Sequence, residues 1–193
     1  MKTRNMILIS MFAALTAIGA QISIPIKPVP FTLQVLFCIY SGILLGSKRG
    51  AMSQIVYVLL GLAGLPIFAE GKGGIAVAAG PTFGYLLGFI VCSYVVGKII
   101  ERFKEINLLK LIIASVSGLL VVYIIGIPYL YLILNNVLNI PTTFSAAMKG
   151  GFYPFILQDL GICVLISVTS LKIVPTLRKA GYLDRDEKKE ALN

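Results

Sequence analysis

The chain has 193 residues, of which 58% are hydrophobic and 13% are charged, and its net charge is +9 at pH 7. A soluble globular domain is about a quarter charged, so the composition excludes an ordinary soluble fold and predicts one all-α membrane domain. The basic residues are scattered between apolar runs, which excludes a nucleic-acid-binding face, and the absence of histidine excludes His/Cys metal cages and Ser-His-Asp catalysis.

Six apolar stretches are candidate membrane-spanning helices, because about 20 mainly apolar residues are needed to cross a bilayer. The second stretch is short. Pro128, in the fifth, predicts a bend or an early end of that helix. A short charged tail follows the sixth stretch, at about 176–193. The six stretches are 6–24, 32–47, 51–69, 81–100, 108–134 and 152–174.

The Lys and Arg residues are unevenly distributed between these stretches, and this asymmetry predicts the orientation. With the N-terminus inside, the outer segments hold only Lys27, Lys72 and Lys149 of the 17 basic residues. Six crossings then place both termini in the cytoplasm, and the chain is predicted to be a multi-pass protein of the cell membrane. The inner segments hold Lys2, Arg4, Lys48, Arg49, Lys98, Arg102, Lys104, Lys110, Lys172, Arg178, Lys179, Arg185, Lys188 and Lys189.

Three outer connections, at 24–34, 64–85 and 135–158, are long and rich in proline and glycine. Irregular backbone at membrane depth is tolerated only where protein or a water-filled cavity satisfies it, so these loops predict a pocket on the outer side. Ordinary turns between helices are the alternative. The loops carry polar Gln34, Glu70, Thr82 and Tyr85 beside apolar Phe31, Phe68 and Phe83.

Asp159 is the sharpest candidate for a functional residue. It precedes an apolar run at 160–171, and a carboxylate at membrane depth costs several kcal/mol, so it is usually functional or paired. The alternative is an acid at an exposed helix start, where the helix dipole favours negative charge.

Small residues mark the first helix, where Ala13 and Ala17 are four positions apart and share a face that permits close helix approach. This small-residue face would allow close packing either against a partner protein or against another helix of the same chain. The chain has no Gly-x-x-x-x-Gly-Lys-Ser/Thr loop, and the segment 71–74 does not match that pattern. The chain therefore shows no nucleotide site, no cofactor site and no catalytic constellation of its own.

Five segments in order resemble one known family. They read Pro28-Val-Pro-Phe-Thr-Leu-Gln34, Gly42-Ile-Leu-Leu-Gly46, Tyr57-Val-Leu-Leu-Gly-Leu-Ala-Gly-Leu-Pro-Ile-Phe-Ala69, Gly80-Pro-Thr-Phe-Gly-Tyr85 and Pro154-Phe-Ile-Leu-Gln-Asp159. The chain resembles the BioY family, the biotin-specific substrate-binding S components of energy-coupling factor (ECF) transporters. The resemblance covers about residues 6–175.

The resemblance implies the six-helix S-component fold with both termini inside and a biotin pocket near the outer face. It also implies a transmembrane coupling subunit and two cytoplasmic ATPases as partners, with Ala13 and Ala17 docking on the coupling subunit. Biotin would be captured outside and delivered inward at the expense of ATP.

Beside this resemblance, the chemistry of biotin indicates where its groups would lie. Asp159 would accept from the ureido N–H groups, since an ionised acceptor makes the stronger hydrogen bond. Aromatic side chains and loop glycines would enclose the apolar ring, and backbone N–H groups or an outer lysine would hold the carboxylate. The predicted substrate-binding residues are Gln34, Phe68, Gly73, Gly74, Thr82, Tyr85 and Asp159.

Two positions depart from the family pattern. Ile162 stands where the family typically has lysine, and Phe83 replaces a glycine of the Gly-Pro-Thr-Gly-Gly-Tyr segment, where it would fill pocket space or face lipid. A related carboxylated sulfur compound such as lipoate is therefore the alternative substrate. A self-sufficient secondary transporter is the alternative from another class, although inverted repeats and mid-membrane ionisable groups are not evident.

Overall fold

The computed structural model describes residues 3–103 and 105–179, and it confirms an all-α architecture apart from one short antiparallel ribbon. Most of the predicted charged tail, 180–193, lies outside the described residues. The helices are α1 (Thr3–Gln21), α2 (Gln34–Leu62), α3 (Phe83–Arg102), α4 (Leu108–Asn136), α5 (Phe144–Gly151) and α6 (Tyr153–Lys179), the ribbon pairs β1 (Ser23–Ile24) with β2 (Phe31–Thr32), and two 3₁₀ turns lie at Ala69–Gly71 and Ile75–Ala79.

Four of these helices, α1, α3, α4 and α6, are long and apolar enough to cross a membrane. Helix α2 is not among them, because every stretch of it long enough to cross includes the charged Lys48 and Arg49. Large apolar side chains such as Ile7, Leu109 and Ile124 remain exposed on the outside of the bundle. A surface of this kind is stable against lipid and unstable in water, so the chain is a multi-pass membrane protein.

Helix α2 contains two antiparallel halves, 34–45 and 47–62. Gly46 between them has φ +80° and ψ 177°, a conformation that glycine adopts without a steric penalty. The Gln34 amide donates to the Tyr57 hydroxyl at 2.8 Å, although 23 residues of straight helix would separate them by about 34 Å. The chain therefore reverses within one residue, at Gly46. Residues 48–50, which the predicted stretches 32–47 and 51–69 leave between them as a connection, are helical instead.

Glu101 of α3 caps the second half of α2. Its Oε1 accepts from the Ser47 backbone N–H at 2.6 Å and from the Ser47 hydroxyl at 2.8 Å. A carboxylate at the start of a helix satisfies backbone N–H groups that have no partner within the helix. The contact with α3 thus supplies a hydrogen-bond acceptor for the Ser47 N–H, which the one-residue turn leaves without a partner in its own helix.

The sequence boundaries differ from the structure in two further places. The third predicted span ends at Leu62 instead of 69, since Pro66 and the loop around it cannot continue a helix. Helix α4 continues through Pro128 to Asn136, so the predicted early end is wrong. The proline removes one hydrogen bond, whereas ending the helix there would leave several backbone groups unsatisfied in lipid.

A buried polar cluster joins α1, both halves of α2 and α3. The Gln54 amide donates to the Thr16 hydroxyl at 3.1 Å and to the Ser41 hydroxyl at 3.3 Å, and Ser41 bonds Ser93 at 2.5 Å. Hydrogen bonds between side chains of different helices stabilise packing where lipid offers no competing partner. The polar cluster thus pairs the Gln54 amide N–H groups and the Ser41 and Ser93 hydroxyls, whereas Gln54 Oε1 has no hydrogen-bond partner among the described residues.

The predicted docking pair on α1 lies mostly inside the bundle. Ala13 is 4% exposed and belongs to the core, whereas Ala17 is half-buried. Both line a shallow apolar groove between α1 and the second half of α2, together with the exposed Ala14. Internal packing thus accounts for Ala13, and the docking role of the pair stays a prediction.

Candidate functional site

A cavity opens at the end of the bundle where α1 ends and where α3 and α6 begin; we call this the cavity end. Five of the seven predicted substrate-binding residues line it: Gln34, Phe68, Thr82, Tyr85 and Asp159. Most of the remaining lining is apolar. The other lining residues are Val29, Pro30, Phe31, Thr32, Val35, Ala69, Lys72, Val77, Leu86, Phe89, Val122, Tyr123, Gly151 and Phe155.

Asp159 lies at the buried end of this cavity and is 6% exposed. It is the seventh residue of α6, past the first turn, so the alternative of an exposed helix-start acid does not apply. The Tyr123 hydroxyl of α4 donates a hydrogen bond to Asp159 Oδ2, and among the described residues it is the sole donor to this carboxylate. The other oxygen, Oδ1, is therefore free to accept from a ligand.

Aromatic rings form the wall around this carboxylate. Tyr85 of α3 and Tyr123 meet edge-on with ring centroids 6.5 Å apart, and Phe152 packs on Tyr123 at 4.8 Å. The Tyr85 hydroxyl donates to the Gly151 carbonyl at 3.0 Å, which joins α3 to α5. Edge-to-face aromatic packing has a defined geometry, so the apolar wall beside Asp159 is preformed.

Gln34 belongs to a hydrogen-bonded chain that ties two loops together. The Thr32 hydroxyl donates to Gln34 Oε1 at 2.8 Å, the Gln34 amide donates to the Tyr57 hydroxyl, and Tyr57 donates to the Ile67 carbonyl at 3.2 Å. Both ends of the Gln34 amide are thus occupied within the protein. Through these hydrogen bonds, Gln34 links the loop before α2 to the loop after it.

Phe68 anchors the second loop, residues 63–82. Its ring is buried against Tyr57 with a centroid distance of 5.5 Å, and a Cβ on Gly61 would lie 2.6 Å from the ring atom Cε2. Only glycine at position 61 leaves room for this ring. The Gln21 amide at the end of α1 donates to the Phe68 carbonyl at 3.2 Å, so α1 also holds the loop.

Gly73 and Gly74 do not line the cavity, and the structure gives them another role. The Gly74 N–H donates to the Gly61 carbonyl at 2.7 Å, and a Cβ on Gly73 would lie 2.8 Å from the carbonyl carbon of Leu65. Gly73 thus permits the second loop to pack closely on its own beginning, whereas Gly74 has φ +90°, a conformation that favours glycine. Backbone geometry therefore explains both glycines, which were predicted to bind substrate.

The two departures from the family pattern lie outside the cavity lining. Ile162 is buried in the apolar core, one turn after Asp159. Phe83 is half-buried and packs on Tyr129 with a centroid distance of 6.0 Å, so it neither fills the cavity nor projects freely into lipid. Neither side chain occupies the volume open to a ligand.

Tyr123 and Lys72 are two of the polar lining residues that the predicted site omitted. Tyr123 lies in the predicted fifth span, which also contains Tyr129 and Tyr131, so the sequence did not single it out. Lys72 was considered only as one of three outer lysines, and the structure places it at the cavity. Among the described residues, no group of three or more His, Cys, Asp or Glu side chains is placed to hold a metal ion.

The arrangement suits binding of a small amphipathic molecule. One carboxylate oxygen at the buried end can accept hydrogen bonds, apolar and aromatic side chains enclose the middle, and an ammonium group lies at the exposed end. Pockets of this type are mostly apolar, with a few polar groups that fix the ligand orientation.

Comparison with known proteins agrees with this description. The sequence profile of the BioY family matches residues 1–179. A probable biotin transporter BioY of Lysinibacillus sphaericus is 40% identical over 92% of this chain and 90% of its own length. The biotin transporter BioY of Thermotoga maritima is 40% identical over 88% of this chain and 95% of its own length.

A solved structure shares the fold. The crystal structure of the S-component for biotin from an ECF-type ABC transporter superposes with a TM-score of 0.78 and 28% sequence identity, covering 95% of this chain and 97% of that one. The fold and the cavity therefore define a multi-pass membrane protein of the S-component class. Within that class, this chain belongs to the BioY family.

Proposed function

We propose that the chain is a high-affinity biotin-binding S component, which captures the vitamin at the outer face of the membrane. The observation that carries this proposal is the Asp159 carboxylate at the buried end of an apolar cavity, paired with Tyr123 and keeping one oxygen free. An S-component-like fold and membership of a family whose relatives are named biotin transporters support it.

In the proposed complex, the ureido N–H groups of biotin donate to Asp159 Oδ1. An ionised acceptor strengthens such hydrogen bonds, and the buried position keeps water from competing. The fused rings contact Tyr85 and Phe68, while Gln34 and Thr82 lie on the wall of the same cavity. Gly73 and Gly74 contribute by folding the loop, not by contact.

The proposed topology has six crossings with both termini in the cytoplasm. The two halves of α2, each shorter than the about 20 residues of a lipid-exposed crossing, would cross as a pair packed against α1 and α3. Helices α1, α3, α4 and α6 supply the other four crossings. The excess of Lys and Arg on the Gly46 side supports a cytoplasmic location for that side. The cavity end then faces the outside.

Transport in this proposal depends on other proteins. The chain carries no phosphate-binding loop, so ATP would be hydrolysed by two cytoplasmic ATPases acting through a transmembrane coupling subunit. The groove lined by Ala13 and Ala17 is the proposed surface for that subunit. The chain itself would be neither an enzyme nor a self-sufficient transporter.

Isothermal titration of the purified chain with biotin and with lipoate tests the substrate. Saturating heats with biotin and much weaker binding of lipoate are expected, because lipoate lacks the ureido N–H donors that Asp159 would accept. Noise-level heats with biotin and saturation with lipoate would overturn the assignment. Uptake by the chain alone in liposomes would instead favour the secondary-transporter alternative.

A further inference from the structure

The cavity has opposite charges at its two ends. Among the described lining residues, Asp159 is the one carboxylate and Lys72 the one ammonium group. Asp159 is nearly inaccessible, whereas the Lys72 side chain is 60% exposed. Lys72 therefore lies at the mouth, where the charged tail of a ligand bound head-first would emerge.

Lys72 is already paired within its own loop. Its Nζ donates to Glu70 Oε2 at 2.5 Å, and Glu70 does not line the cavity. The turn that brings them together is closed by the Phe68 N–H, which donates to the Lys72 carbonyl at 2.9 Å. Glu70 has φ +62°, a backbone conformation that is uncommon for a residue with a side chain. The turn is therefore tightest at the residue that pairs with Lys72.

The structure points to a carboxylate exchange at Lys72, an inference that rests on the proposed function. We propose that Lys72 binds the ligand carboxylate and that Glu70 is the internal carboxylate that holds Lys72 when no ligand is present. Exposed ion pairs contribute little to stability, so Lys72 can leave Glu70 at small cost. A ligand carboxylate would replace the pair with an equivalent charge-assisted hydrogen bond.

The other two lysines predicted on this side are unsuited to the role. Lys27 lies in the first loop and Lys149 in α5, and neither lines the cavity. Both are exposed to solvent. Of these three chemically identical lysines, Lys72 is the one whose position at the cavity allows contact with a bound ligand.

Two consequences distinguish exchange from a simple lysine contact. Removing the Lys72 charge should weaken binding of an anionic ligand and leave its neutral amide unaffected. Removing the Glu70 charge should strengthen binding of the anionic ligand, because Lys72 is then released from its competitor. A purely structural ion pair would affect both ligands equally, since it would act through the shape of the loop.

The test is titration of biotin and of biotinamide, its neutral primary amide, into the purified full chain and its variants. Lys72→Met should weaken biotin binding roughly three- to tenfold, as expected for loss of one exposed charged hydrogen bond, without changing the affinity for biotinamide. Glu70→Gln should tighten biotin binding roughly two- to threefold and leave biotinamide unchanged, because an exposed ion pair is a weak competitor. Lys149→Met is the matched control and should alter neither affinity.

Equal weakening of both ligands by Lys72→Met, or no change in either, would overturn the exchange while leaving biotin binding established. Weaker biotin binding in Glu70→Gln would also overturn it, because Glu70 would then position Lys72 instead of competing for it. If the unmodified chain binds neither compound, the proposed function itself fails and the exchange fails with it. The biotinamide affinity reports in each variant whether the site is still folded.

Discussion

The hydrogen-bonded pair of Asp159 and Tyr123 supplies the polar groups at the buried end of a mostly apolar cavity. A carboxylate at this depth needs a donor, and Tyr123 supplies one to Oδ2. One oxygen is thus satisfied by the protein, and the other remains available to a ligand. The pair joins α4 to α6, so the same hydrogen bond that prepares the site also holds its wall together.

At the residue scale, Asp159→Asn is expected to weaken biotin binding by at least about 1.5 kcal/mol, because a hydrogen bond to a charged acceptor is lost. The asparagine carbonyl can still accept from Tyr123, so the fold should be retained. Titration of purified protein measures the loss. Glu105→Gln, an equivalent change at an exposed residue far from the cavity, should leave the affinity unchanged. An unaltered affinity in Asp159→Asn would remove this residue from the site.

At the scale of elements, the reversal at Gly46 positions both loops that bear on the cavity. It folds α2 back on itself, which brings Gln34 beside Tyr57, and the loop after Leu62 then lies against the loop before Gln34. Glu101 holds the turn from the side of α3. The shape of the cavity end therefore depends on a turn at the opposite end of the bundle.

Gly46→Ala is expected to destabilise the protein by about 1–3 kcal/mol, because a backbone with φ +80° and ψ 177° is essentially restricted to glycine. The added Cβ would also lie 2.8 Å from Glu101 Oε1. Thermal unfolding in detergent measures the change in stability.

Gly161→Ala is the matched control for that variant. Gly161 lies within α6, and a Cβ there would meet nothing within 4 Å, so alanine should stabilise the helix by about 0.5–1 kcal/mol. Opposite signs for the two variants are expected. A Gly46→Ala protein as stable as the parent would show that the turn does not need its glycine.

At the scale of the whole molecule, most of the Lys and Arg residues lie at the end of the bundle opposite the cavity. Arg49 bonds Asn5 near the start of α1 at 3.0 Å, on the same side as the Glu101 contact. The apolar outer surface of the helices lies between the two ends. Such a distribution orients a protein in a membrane without further information, because basic segments are retained in the cytoplasm.

Labelling of single introduced cysteines in intact cells tests this orientation. Cys38, Cys92 and Cys163 are buried and free, so they should contribute little background. Ser145→Cys, exposed in α5 at the cavity end, should react with a membrane-impermeant maleimide. Glu105→Cys, exposed between α3 and α4, should react only after permeabilisation. The reverse pattern would invert the proposed topology.

The sequence alone was sufficient to predict a membrane protein, its apolar stretches and the end of the bundle at which the long loops gather. The evidence was composition, hydropathy and the placement of basic residues. The loops were recognisable because proline, glycine and polar residues are unusual at membrane depth. Asp159 was recognisable for the same reason. These properties depend on how many groups need water or a hydrogen-bond partner, and such groups can be counted along the chain.

Only the tertiary structure decided which way each side chain faces. It placed Tyr123 on Asp159 and Ala13 in the core, and it left Gly73 and Gly74 outside the cavity lining. In a water-soluble helix, the polar face reveals the orientation, whereas a helix in lipid is apolar on every side. Its rotation is therefore set by close packing and by hydrogen bonds between helices, which arise from the assembled bundle and have no period in the sequence.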